Sequence, residues 1–177
     1  MKNFTVPTRE TVSEHNQEIF DKLQSAIGFV PNLYASMAVS EGALGAYLGL
    51  QSAKSSLKAK EKEVINLVVS QVNSCDYCLR AHTAISKLHG FTEDQILEIR
   101  TGEISFDSKL NALAQYAKSA AENKGKPSDE VLVNFFNAGY DDENLVDAVI
   151  VIGDKMITNY LFSVLEVPVD FAEVPNL

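Results

Sequence analysis

The sequence predicts an all-α fold, and three observations support this. Apolar residues recur at spacings of three and four in most segments, and no segment shows a sustained alternation of apolar and polar residues flanked by hairpin turns. Glycine, proline and helix-capping residues separate these segments. A chain of 177 residues with 46% hydrophobic content is long enough to bury a sizeable core. We therefore predict one domain, 1–177, of about eight to nine helices, with N-terminal helices in 1–56 and a core in 57–165.

The N-terminal segment is predicted to form three helices. Apolar spacing up to Ile27 indicates a first helix that ends at Gly28, because glycine commonly ends helices. Pro31 begins a short second helix, since proline is favoured in a first turn. Ser40 is predicted to cap a third helix that runs to about Ser56.

The core segment is predicted to form six helices. Their approximate ranges are 58–72, 75–89, 92–102, 107–123, 128–138 and 141–165. Asn73 and Ser74 break the chain between the first two, and Gly90 ends the second. Thr92 and Gln95 form a capping box for the third. The tail EVPVDFAEVPNL contains two prolines, so we predict an extended segment positioned to lie on a neighbouring subunit.

A short sequence echo links two of the predicted helix junctions. The segment GFTEDQILEI from Gly90 recurs as GYDDENLVDA from Gly139. Both contain a glycine stop, an acidic cap and an apolar restart. The echo indicates either an internal duplication of a helix pair or two junctions of similar chemistry, and the sequence leaves both interpretations open.

The charge balance excludes some classes of partner. A formal net charge of −9 argues against nucleic acid, because binders of phosphate backbones normally carry clustered Lys and Arg. The densest basic run, Lys58, Lys60 and Lys62, alternates with Glu61 and Glu63 and is typical of a solvated helix face. We find no apolar stretch of signal-peptide length at the N-terminus and expect no segment to approach a membrane span. We therefore predict a cytoplasmic protein without membrane or nucleic-acid partners.

The segment NSCDYCLRAHTAISKLHG holds both cysteines of the chain. At about 100° per residue, Cys75, Cys78 and His82 point to one side of a single helix. Cys75 falls in the first turn, where free backbone N–H groups favour an anion. His82 is four residues after Cys78, within reach as a base or as a cationic partner. In a reducing compartment such a pair is more often catalytic or metal-binding than a structural disulfide.

The preceding helix contributes further candidates. If the two helices pack antiparallel, Glu63 can present its carboxylate to His82, and such a pair would hold the imidazole tautomer and raise its basicity. Chemically, a thiolate is the nucleophile, and a second thiol captures the sulfenic acid that peroxide leaves on the first. Ser70 and Tyr77 are predicted either to line this site or to be ordinary packing residues.

The sequence allows two other interpretations of the cysteines. They could be small buried hydrophobic residues, as free cysteine often is. They could also belong to a zinc site made of Cys75, Cys78, His82 and His89. Four tetrahedral ligands from about four turns of one helix strain ligand reach, so we predict no bound metal and no bound cofactor. His89 is interpreted as a cation at a helix C-terminus and His15 as a surface residue.

The spacing of Glu63, Cys75, Cys78 and His82 resembles the signature of the alkylhydroperoxidase D-like (AhpD-like) branch of the carboxymuconolactone decarboxylase superfamily. The surrounding segment LKAKEKEVINLVVSQVNSCDYCLRAHTAISKLHGFTEDQI resembles the core of that family. GFVPNLYASMA and NYLFSVLEVPVDF resemble its peroxidase-related members. The likeness extends from about residue 28 to 171.

This resemblance implies an all-α fold that forms trimers or hexamers and reduces hydroperoxides. It also implies regeneration by an external dithiol, lipoyl or thioredoxin-like, that attacks a more exposed Cys75. By position, Cys78 would be the peroxidatic thiol, Cys75 the resolving thiol, and Glu63 with His82 the proton relay. Tyr77 is a departure, because the best-known peroxidase of the family has a histidine there.

Two further functions remain alternatives. One is a decarboxylase or related enzyme acting on a small lactone, in which the cysteine pair is not the chemical engine. The other is a non-catalytic thiol redox sensor, which would be oxidised stoichiometrically without turnover.

Overall fold

The computed structural model describes residues 4–177 and confirms the all-α prediction, since these residues contain nine α-helices and no strand. A 3-10 turn at Arg9–Thr11 precedes the helices. The helices in chain order are α1 Glu14–Ile27, α2 Asn32–Met37, α3 Ala43–Gln51, α4 Ala59–Val72, α5 Asp76–Leu88, α6 Glu93–Thr101, α7 Ser108–Glu122, α8 Asp129–Asn137 and α9 Asp142–Leu165.

Local sequence signals set most of the helix ends. Gly28 ends α1 in a left-handed conformation with φ 93°, which glycine adopts without a steric penalty. The capping box of Thr92 and Gln95 begins α6 as predicted. Asp107 and Ser128 accept hydrogen bonds from the first turns of α7 and α8.

The third helix is shorter than predicted at both ends. Ser40 does not cap it, because its backbone N–H donates to the Met37 carbonyl in the turn after α2. Ser56 lies beyond the end of α3, and its backbone N–H and hydroxyl both donate to the carboxylate of Asp147. A local backbone turn therefore decides the conformation at Ser40, and a distant side-chain partner decides it at Ser56; helix-capping preference decides neither.

The chain divides into two compact units. The first comprises residues up to Lys54 together with Tyr160–Asp170. Its apolar core is formed by Phe20, Leu23, Ala35, Met37, Ala38, Leu44 and Tyr47. The Asn16 side chain is fully buried there and donates to the carbonyls of Ala38 and Ser40 at 3.1 and 3.2 Å. This amide thus ties α1 to the turn after α2.

The second unit comprises Ser55–Asn159 and Phe171–Leu177. Helix α4 is at its centre and packs against α5, α6 and α7, while α7 also packs against α8. Fully buried members of its core include Val64, Ile65, Leu67, Val69, Ile99, Leu113 and Phe135. The helix that carries Glu63 is therefore held on several sides before it meets α5.

The start of α4 differs from the predicted solvated face. Lys58 and Lys60 are exposed, but Glu61 and Glu63 are buried. The Glu61 carboxylate accepts a hydrogen bond from the Lys58 N–H at 2.7 Å, which closes the first turn of α4. Glu63 points inward, toward α5.

Helix α9 is long and apolar enough to cross a membrane by length and composition, with a mean hydropathy of 1.5 over its most apolar window. The prediction that no segment approaches a membrane span is wrong by this criterion. Asp154 and Lys155 lie at the middle of α9 and are buried inside the second unit. Because a charged side chain is costly at the centre of a bilayer, these residues are typical of a protein core helix instead.

The C-terminal tail after α9 is without regular secondary structure, as predicted. Its last part, Phe171–Leu177, lies on the second unit of its own chain. The Phe171 ring packs edge-on against Tyr77 with ring centroids 5.4 Å apart, and Arg100 donates to the Pro175 carbonyl at 2.7 Å. These residues of the tail therefore contact their own chain.

Candidate active site

The turn between α4 and α5 places the two thiols. Ser74 has a positive φ of 53°, and the Cys75 N–H then donates to the Ser70 carbonyl at 2.9 Å. Cys75 is consequently the N-cap of α5 and not a residue of its first turn. Its Sγ accepts a hydrogen bond from the Cys78 N–H at 3.3 Å. Both cysteines are free thiols, and they are only 2% and 3% exposed.

The two thiols differ in acidity. A side-chain hydrogen bond from the Cys75 thiol to Cys78 lowers the pKa of Cys78 to about 6, against the opposing effect of burial and with help from Lys155, His82 and Asn159. The same hydrogen bond, together with burial and the negative charge on Cys78, raises the pKa of Cys75 far above its usual range. The site therefore holds one thiolate and one protonated thiol near neutral pH.

Packing of α4 against α5 brings Glu63 to His82. The Glu63 Oε2 atom lies 2.9 Å from His82 Nδ1. The other carboxylate oxygen, Oε1, accepts a hydrogen bond from the Asn66 amide at 2.8 Å, and the Ser86 hydroxyl lies 3.4 Å from Oε2. Burial raises the pKa of Glu63, but its pairing with His82, the hydrogen bond from the Asn66 amide and the charge of Lys155 together lower it below its usual value. Glu63 is thus an ionised, hydrogen-bonded carboxylate.

Lys155 is a member of this cluster that the sequence analysis missed. Its Nζ atom lies 2.9 Å from His82 Nε2 and 3.5 Å from an Asp154 carboxylate oxygen, and the residue is 2% exposed. The available signal was its position, because Asp154 and Lys155 interrupt the otherwise apolar stretch of α9. Charged residues in such a stretch indicate an inward-facing polar site.

Asn159 is a second member that was missed, one turn after Lys155 on α9. Its amide donates to the Ser70 hydroxyl at 3.5 Å and its Oδ1 accepts from the Asn73 side chain at 2.9 Å. Ser70 is fully buried, and its carbonyl accepts the hydrogen bond from the Cys75 N–H. Tyr77 is also buried, and its ring packs against Phe171.

The structure does not gather the ligands of the alternative zinc site. Within residues 4–177, no three or more His, Cys, Asp or Glu side chains are arranged to hold a metal ion. His89 is the C-cap of α5 and is exposed. His15 is likewise exposed on α1.

Residues 37–123, which include α4, α5 and both thiols, match the model of the carboxymuconolactone decarboxylase family. This match covers 87 of the 177 residues, just under half of the chain. None of the curated proteins gave a significant match.

Solved structures share the fold of this chain over nearly its whole length. An uncharacterized peroxidase-related protein from Silicibacter sp. TM1040 is 22% identical, with a TM-score of 0.83 and coverage of 94% of this chain and 90% of that chain. An AhpD-core, uncharacterized peroxidase-related protein from Ralstonia eutropha JMP134 is 17% identical, with a TM-score of 0.85 and coverage of 95% and 92%. At these identities the likeness establishes the fold alone.

A third solved structure broadens the chemistry seen on this fold. It is a cysteine-to-alanine variant of the debrominase Bmp8 in complex with 2,3,4-tribromopyrrole. It is 15% identical, with a TM-score of 0.79 and coverage of 96% of this chain and 93% of that chain. The AhpD-like fold of this chain is therefore shared with a debrominase as well as with uncharacterized peroxidase-related proteins.

Proposed function

We propose that this protein reduces hydroperoxides through a dithiol–disulfide cycle of Cys78 and Cys75. One observation carries the proposal: an acidic Cys78 thiol is hydrogen-bonded, through its backbone N–H, to a Cys75 thiol that keeps its proton. A thiolate is the nucleophile toward peroxide, and a protonated thiol three residues away is placed to resolve the product.

The proposed chemistry balances in three steps. The Cys78 thiolate attacks one peroxide oxygen, so that an S–O bond forms, the O–O bond breaks, and the alkoxide leaves as an alcohol after taking a proton. The Cys75 thiol then attacks the sulfenic sulfur; an S–S bond forms and its proton departs with the hydroxyl as water. An external dithiol exchanges with this disulfide, becomes oxidised itself and restores both thiols.

Glu63 and His82 are proposed to manage protons in this cycle. The ionised carboxylate holds Nδ1 of the imidazole, while Nε2 lies 2.9 Å from Lys155 Nζ. Removing such a relay typically costs about 10²-fold or more in rate. Ser70 and Asn159 are proposed as residues that line the site.

The external reductant is proposed to be a lipoyl or thioredoxin-like dithiol, with no cofactor bound to the protein itself. The expected attack at a more exposed Cys75 does not match the structure, because Cys75 is as buried as Cys78. The mixed disulfide therefore requires local opening near the thiols. A slender lipoyl arm needs less opening than a protein surface, so we place it first.

The decisive experiment compares the wild type with Cys78→Ser and Cys75→Ser. Cumene hydroperoxide consumption is followed with dihydrolipoamide as reductant, alongside intact mass. We expect the wild type to lose two hydrogens at about one equivalent and then turn over. Cys78→Ser should be inactive, and Cys75→Ser should stop with one added oxygen on Cys78. Turnover that persists in Cys78→Ser would rule out the thiol mechanism.

Reductive dehalogenation is a second candidate, favoured by the structural match to a debrominase. The same two thiols could deliver two electrons: a carbon–bromine bond is replaced by carbon–hydrogen, bromide is released, and a disulfide forms. Bromide release from 2,3,4-tribromopyrrole would distinguish this reaction. A lactone-directed activity that is unchanged in both cysteine variants would instead indicate a decarboxylase-like enzyme, and oxidation without turnover would indicate a redox sensor.

A further inference from the structure

We infer that Lys155 is the positioning residue that activates Cys78, acting as the buried cation of the site while His82 serves as a neutral link between Lys155 and Glu63. The inference rests on the proposed function, because it assigns Lys155 to the thiolate that this function requires. It starts from the hydrogen-bonded series Glu63, His82 and Lys155, which runs from α4 through α5 to α9.

The two hydrogen-bond partners of His82 determine its tautomer. An ionised carboxylate only accepts hydrogen bonds, so the His82 Nδ1 atom that lies 2.9 Å from Glu63 must carry a proton. On the other side of the ring, Nε2 lies 2.9 Å from Lys155 Nζ. An ammonium group only donates, so Nε2 must be the acceptor. His82 is consequently neutral, with its proton on Nδ1.

Lys155 supplies the positive charge near the thiols. A neutral imidazole supplies no positive charge, which leaves Lys155 as the cation at Cys78. Lys155 is 2% exposed, so water screens its field little. Its attraction favours the thiolate and contributes to the low pKa of Cys78. The sequence predicted His82 to act as either a base or a cationic partner. In this inference Lys155 is the cation, and His82 is its neutral hydrogen-bonding partner.

Three ionisable groups act directly on Cys78. These are Cys75 at the N-cap of α5, His82 on α5 and Lys155 on α9. Glu63 and Asp154 stand behind them, against His82 and Lys155 respectively. Each carboxylate contacts a group that itself acts on Cys78, so the two carboxylates help to hold His82 and Lys155 in place.

The test uses alkylation by iodoacetamide, which reports the thiolate and needs no hydroperoxide. Rates are measured from pH 5 to 9 for the wild type, Lys155→Met and Lys155→Arg, and tandem mass spectrometry identifies label on Cys78. We expect the wild-type midpoint near pH 6, a shift of at least one unit upward in Lys155→Met, and partial return in Lys155→Arg. Lys87→Met, an exposed lysine on α5, is the matched control and should keep the wild-type midpoint.

An unchanged midpoint in a folded Lys155→Met variant would overturn the inference. Should that variant lose its helical circular dichroism, ¹⁵N NMR of wild-type His82 decides: an unprotonated Nε2 supports the inference and a protonated Nε2 overturns it. Failure of the wild type to consume hydroperoxide would contradict the proposed function alone, because the alkylation midpoints would still test Lys155.

Discussion

Cys75 and Cys78 are buried to a similar extent, and a hydrogen bond joins them in which the Cys78 N–H donates and Cys75 Sγ accepts. The backbone N–H of Cys78 points back at Cys75 Sγ, since an N-cap side chain accepts from the first helical turn. Usually Ser, Thr, Asp or Asn performs this task. Using a thiol as the cap couples the end of the helix to the redox pair, so oxidation of Cys75 would also change how α5 begins.

At the level of single residues, Glu63 should make stability depend on pH. Its folded pKa is lowered from the reference value of 4.5, so its ionised form stabilises the fold above about pH 4.5. That contribution disappears as the pH falls through the lower folded pKa. We predict that Glu63→Gln lowers the free energy of unfolding by about 1–3 kcal/mol at pH 7 and that the difference from wild type shrinks below pH 4.5.

Urea unfolding between pH 3 and pH 7 measures this difference. Glu143→Gln, an exposed carboxylate in the first turn of α9, provides the control and should follow the wild type. Parallel wild-type and Glu63→Gln curves over the whole range would contradict the assignment of Glu63 as an ionised buried partner of His82.

At the level of elements, α5 has to end before Gly90 so that α6 can pack beside it. Gly90 follows α5 with φ 83°, a conformation that costs an L-residue about 1–2 kcal/mol. A Cβ at Gly90 would meet only the Lys60 Nζ atom, at 3.9 Å, so backbone conformation and not crowding sets the cost.

We predict that Gly90→Ala lowers the free energy of unfolding by about 1–2 kcal/mol because of this positive φ. Gly49 is exposed within α3, and a Cβ there meets nothing within 4 Å. Gly49→Ala should therefore raise stability by about 0.5–1 kcal/mol. Thermal unfolding of both variants gives the answer, and equal effects of the two substitutions would show that φ does not control α5 termination.

Sequence signals were sufficient where structure is local. Gly28, Gly90 and Thr92 set helix ends through the residues next to them, and these ends were predictable. Glu63 and His82 were predictable as neighbours because a short turn makes their helices adjacent. Lys155 was not, since it lies 73 residues from His82 and reaches it only through tertiary packing. For the same reason the sequence did not predict the hydrogen bond of Ser56 to Asp147, which lies 91 residues later in the chain.

At the level of the whole molecule, the second unit leaves an apolar surface uncovered. Its exposed large residues are Val133, Phe136, Val146, Val149, Ile150 and Ile157 on α8 and α9. Contiguous exposed apolar residues commonly mark association sites. Taken with the resemblance to trimeric and hexameric proteins, this surface supports the prediction of a homo-oligomer.

We predict that Val149→Asp converts an oligomer to a lower-mass species, because a charge at the 53% exposed Val149 would be buried without a partner on association. Size-exclusion chromatography with light scattering measures the mass. Val39→Asp, which changes a 68% exposed valine of the first unit, should leave the mass unchanged. A wild type that stays monomeric at all accessible concentrations would show the oligomer prediction to be wrong.

The position of Tyr77 has an optical consequence. The chain has no tryptophan and six tyrosines, so its intrinsic ultraviolet emission comes from tyrosine alone. One of those six, buried and held by Phe171, is bonded directly to Cys78 in the chain and lies two residues from Cys75. A disulfide quenches excited tyrosine at short range, whereas thiols do so less. The protein thus carries a built-in fluorophore beside its redox centre, and its oxidation state is readable without a dye.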